Sequence, residues 1–160
     1  MELEKKEFRN SYTIVFTLNY FIQGINQSMF ATIVPIFLIL QLGAIGGAQI
    51  AFFSSIVLLP FAVKFIYGMM SDRLAFKRIG RRKPWIISSV SLAGVLWMLI
   101  PFLVTPSNAL MIFTLIGLFI VFGIAMGDTS IDGLILDICP REIFLDMAFL
   151  LLFHLFLFYL

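Results

Sequence analysis

Hydrophobic residues in this chain come in long unbroken blocks, with short polar breaks between them. That pattern predicts buried or membrane-spanning helices instead of amphipathic ones. Ser11 to Leu40 is the first block, about thirty residues and roughly 45 Å long as a helix. A bilayer's hydrocarbon core is roughly 30 Å thick, so this segment must tilt or protrude. Pro35 predicts a kink in its outer third. Gln41 to Gly47, rich in glycine, reads as a turn. Further spans are predicted at 48–70, 84–104 and 109–138, the last ending before Pro140, with Thr105-Pro-Ser-Asn108 as a tight turn. Residues 145–160 form a fifth apolar run, but Met147 to Leu160 gives only about 21 Å of helix. The expected fold is all-α: a polytopic membrane helix bundle of four transmembrane helices plus a partial fifth, behind a polar segment at 1–10.

Charge sharpens this picture. Six of the 11 Lys and Arg residues lie between Arg73 and Lys83, and Lys5, Lys6, Arg9 and Arg141 fall on the same side of the predicted spans. The turns at 41–47 and 105–108 carry no charge. By the positive-inside rule the N-terminus and the 71–83 loop are cytoplasmic, in a multi-pass protein of the cell membrane whose main partner is the lipid bilayer. The chain is 61% hydrophobic and 12% charged, against roughly 25% charged in soluble domains. A net charge of +2 clustered in one loop leaves no solvated basic face, so nucleic acid is not an expected partner. A single cysteine, Cys139, supports neither an internal disulfide framework nor metal spacing. No metal or other cofactor is expected, and no cleavable signal precedes the first span. The sequon Asn26-Gln-Ser28 lies inside that span and is expected to be chemically silent.

Polar side chains within the spans stand out against this background, because each is costly in a bilayer. Asn19, Gln23, Asn26 and Gln27 recur at helical spacing and share one face near the middle of the first span. That stripe fits either a solute cavity at mid-depth or hydrogen-bonded contact between helices. The fourth span carries Asp128, Asp132 and Asp137. The first two share a face, whereas Asp137 points to the opposite side of a continuous helix. The three converge on one ion only if the helix breaks at Gly133. Lys64 lies at matching depth in the second span, which predicts a Lys64 pair with Asp128 or Asp132. Such a pair serves as a protonation switch or as a static tie, unless Lys64 simply snorkels outward. Gly123 and Gly127 form a small-xxx-small patch suited to close helix approach. His154, alone in a Phe/Leu run, reads as core filler.

The loop Gly68-x-x-Ser-Asp-Arg73 followed by Gly80-Arg-Arg-Lys-Pro-Trp85 resembles the loop between the second and third helices of the major facilitator superfamily. That resemblance implies the N-terminal portion of a major-facilitator-type fold. It also implies a cytoplasmic gate latch built from Gly68, Asp72, Arg73, Gly80, Arg81 and Arg82. The plain alternative for the loop is a positive-inside anchor. Six residues, Leu74 to Ile79, separate Arg73 from Gly80 where a single residue is usual. The longer loop resembles the glycoside–pentoside–hexuronide:cation symporters and plant sucrose carriers. Pro60-Phe-Ala-Val-Lys64-Phe-Ile-Tyr-Gly68 is similar to the folate–biopterin transporter family. In melibiose-type symporters the cation site lies between carboxylates of the second and fourth helices. The second span here has Ser54, Ser55 and Lys64 but no interior acid, which favours protons over sodium as a coupling ion.

These features imply a secondary active transporter of a small polar solute, not an enzyme, since no nucleophile–base pair is present. A superfamily transporter has twelve helices, so the chain is expected to be truncated and inactive alone. It would then need its missing C-terminal helices or another chain. The rival expectation is a membrane assembly protein that transports nothing. A polar stripe facing Asp128 argues for transport, and one facing outward argues for assembly.

Overall fold

The computed structural model describes residues 10–42, 46–74 and 80–138, and all regular structure among them is helical. The predicted polar segment before Asn10, the loop centre with Lys77 and Arg78, Cys139, and the fifth apolar run with His154 lie outside the described residues. The first span is α1 (Asn10–Ser28), a π-helical turn (Met29–Ile33) and α2 (Val34–Leu42). The second is α3 (Gly47–Ala62) and α4 (Lys64–Arg73); α5 (Lys83–Leu103) and α6 (Ala109–Ile138) complete the set. Four segments are long and apolar enough to cross a membrane: Ser11–Gln41, Gly47–Arg73, Lys83–Leu103 and Ala109–Ile138.

Two irregularities interrupt the spans. The first span departs from α-helix at Met29–Ile33, where the Val34 N–H bonds back to the Met29 carbonyl, one residue further than an α-helix allows. Pro35 has no N–H and its ring crowds the carbonyl four residues back, at Ala31. The distortion therefore falls in the turn before the proline, where the outer third of the span begins. The second span breaks at Val63 (φ −104°, ψ 18°), three residues after Pro60. Lys64 thus begins a new helix in the interior of the bundle.

α6 is the central element. In its most apolar window 44% of residues are buried, against 17–28% in the other spans, so the others pack around it. Its seam against α5 is built from small residues. A Cβ on Gly123 would meet the Ser89 carbonyl oxygen at 2.6 Å, and one on Gly127 would meet Ser89 Oγ at 3.0 Å. The predicted small-residue patch is where the third span approaches. Gly117 plays the same part toward the first span, since its missing side chain leaves room for the buried Phe30 ring of the π-turn. Phe30, Val34, Leu38, Phe53, Val57 and Ile120 form the core away from the basic loop. Phe16, Ile131 and Ile135 form a second cluster toward it. Phe21, Phe65 and Phe102 are exposed, as expected of side chains that face lipid.

Candidate functional site

The polar residues of α1 point inward. Asn19, Gln23 and Asn26 line a cavity of about 150 Å³ whose opposite wall is Val90, Ala93 and Trp97 of α5 and Gly127, Asp128 and Ile131 of α6. Helical spacing puts the three amides on one face, and the α5–α6 glycine seam brings the far wall within reach. Gln27 is half-buried and lies outside the cavity lining. The amides are not equally available. Asn26 Nδ2 donates to the Ile22 carbonyl at 2.8 Å, and Asn26 Oδ1 accepts from Trp97 Nε1 at 2.6 Å. Asn19 donates to the Val15 carbonyl at 2.8 Å. Gln23 lines the same cavity as Asp128. Trp97, which sequence reasoning missed, also packs on Phe30 with ring centroids 5.2 Å apart. Its signal was position, because Trp prefers the membrane interface and one at mid-span needs a partner for its N–H.

Each α6 carboxylate holds a different part of the bundle. Asp128, with a 4% exposed side chain, pairs with Lys64 of α4. The lysine ammonium also sits 5.3 Å from the Phe61 ring centroid, so it turns into the bundle and does not snorkel outward. Of the two partners expected for Lys64, Asp128 is the one it takes. Asp132 instead accepts a hydrogen bond of 2.5 Å from the Tyr20 hydroxyl of α1. Tyr20 lies at helical spacing from the stripe, three residues before Gln23 and seven before Gln27, but was not counted with its amides. Asp137 points away, as helical geometry predicts, and binds Arg81 Nη2 at 2.9 Å and Arg82 Nε at 2.7 Å. α6 runs unbroken through Gly133, so the three acids do not converge. No cluster of acids, His and Cys able to hold a metal occurs among the described residues.

The basic loop closes over this end of α6. Arg82 Nη2 also reaches Asp72 at 2.9 Å, so one buried guanidinium joins the ends of α4 and α6. Gly68 lets α4 approach α6, with a Cβ there only 3.3 Å from Thr129 Cγ2. Arg73 lies in the last turn of α4, where its charge complements the helix dipole. Gly80 adopts φ +96°, a conformation that other residues rarely tolerate. Trp85 Nε1 donates to the Leu74 carbonyl at 3.1 Å and ties the two loop ends together.

The described helices form a bundle with four membrane-length spans, a largely apolar cavity that Asn19, Gln23 and Asn26 help to line, and an interior ion pair, as in a multi-pass membrane protein. The family model of the BT1 family, a transporter family, matches residues 23–142, and the chain belongs to that family. No curated protein and no solved structure matches it.

Proposed function

We propose that the chain is the cavity-bearing part of a secondary active transporter of major-facilitator type that carries a small polar solute. The observation that supports it is the inward stripe: Asn19, Gln23 and Asn26 face Asp128 across the cavity instead of facing lipid. Gln23 and Asp128 offer the solute hydrogen bonds, Trp97 offers a ring face, and Asn26 is held in place by Trp97. The Asp72–Arg82–Asp137 chain acts as the latch at the loop end, which the basic residues put on the cytoplasmic side. Alternating access needs a second bundle rocking against the first. That second bundle is the partner this reading requires, and the four described spans bind solute without moving it by themselves.

The test is saturable binding of a panel of labelled sugars and pterins to the purified chain in lipid nanodiscs. One solute class is expected to bind, and Gln23→Leu is expected to weaken it at least tenfold. If no panel member binds while the chain forms defined oligomers, the assembly role replaces transport.

A further inference from the structure

One buried ring reaches the cavity wall through another. Phe30 lies in the π-helical turn, is 1% exposed and is not among the residues that line the cavity. Its ring seats in the notch that Gly117 leaves on α6, where a Cβ would come within 2.8 Å of Phe30 Cε1. The same ring packs on Trp97 of α5, which does line the cavity, with centroids 5.2 Å apart and planes tilted by 33°. Phe30 follows Asn26 by four residues, about one helical turn. A single indole therefore meets both. Its N–H donates to Asn26 Oδ1 at 2.6 Å, while its ring packs on Phe30. Asn26 is oriented in turn, because its Nδ2 donates to the Ile22 carbonyl at 2.8 Å.

We infer that Phe30 is a positioning residue for the cavity: wedged at Gly117, it fixes the plane of Trp97 and so the shape of the wall. A tryptophan side chain has two free torsions. The hydrogen bond to Asn26 holds the indole edge but leaves the ring free to rock about the N–H direction. Packing on Phe30 removes that second freedom. The π-turn then has a constructive part, since such turns recur where a helix must place a side chain for a functional site. A wall fixed beforehand loses no side-chain freedom when a solute arrives, an advantage of about two- to tenfold in affinity. That the wall serves a solute rests on the transporter proposed above. The fixing of Trp97 by Phe30 does not.

The experiment is time-resolved fluorescence anisotropy on the whole chain in nanodiscs, with Trp85→Phe so that Trp97 is the single tryptophan. The parent is expected to depolarise only as the disc tumbles. Phe30→Leu is expected to add a nanosecond component, the timescale of free side-chain motion. Gly117→Ala, which pushes the ring out of its notch, is expected to add the same component, and it decides where Phe30→Leu does not fold. Ile135→Ala removes core volume from the loop-side cluster and is expected to lower the melting temperature without the fast component. No fast component in Phe30→Leu overturns the assignment. So does an equal component in Ile135→Ala, which would mean general loosening of the bundle. Where Trp97 behaves as expected but no solute binds, Phe30 keeps its role and the transporter proposal fails.

Discussion

The guanidinium of Arg82 occupies the space where a side chain on Gly133 would begin. That single contact lets Arg82 reach Asp72 and Asp137 together from a position only 8% exposed. Gly133→Ala is therefore expected to expel the guanidinium and loosen the loop end, at a cost of about 1–3 kcal/mol. Limited trypsin digestion at the basic loop checks it, with faster cleavage in the variant. Unchanged cleavage would show that the latch does not depend on the glycine.

Lys64→Met removes the cation beside a carboxylate whose side chain is 4% exposed. Breaking such a pair from one side costs roughly 3–5 kcal/mol, because the other charge stays buried. The double variant Lys64→Met/Asp128→Asn is expected to recover at least half of that loss. Thermal unfolding in detergent of the two single variants and the double variant gives the coupling. Additive losses would mean that the two groups do not interact.

The α5–α6 seam predicts a contrast between two glycines. Gly123→Ala meets a backbone carbonyl and is expected to cost about 1–3 kcal/mol. Gly94→Ala meets nothing within 4 Å and is expected to be neutral or slightly stabilising. Melting temperatures of the two variants decide it, and equal shifts would contradict the seam as described.

Trp97 is a built-in reporter, since the chain has 2 tryptophans and the other, Trp85, lies at the loop. With Trp85→Phe, solute entering the cavity is expected to change the emission of Trp97. With Trp97→Phe, the remaining Trp85 signal is expected to stay flat. The reverse pattern would move the binding site to the loop.

The spans were legible in the sequence because bilayer thickness sets a length that long apolar blocks reveal. The opposed directions of Asp128 and Asp137 followed from helical periodicity alone, and depth along two helices narrowed the partner of Lys64 to Asp128 or Asp132 without choosing between them. Tyr20 and Trp97 were not legible in this way. Their roles depend on which face of one helix meets another, and that is set by Gly123, Gly127 and Gly117 making room at particular heights. The π-turn was hidden for a related reason. Pro35 announces that an α-helix is disturbed, but the extra residue is absorbed where Phe30 can drop into the space at Gly117.

The three carboxylates of α6 face directions about 40° and 140° apart in succession along one rigid rod. Each grips a different neighbour: Lys64, Tyr20, and the paired arginines. Rotating that rod about its own axis swings all three grips at once, like lobes on a shaft. The first span, the second span and the basic loop thus share one element, and each is held to it by a carboxylate on a different side.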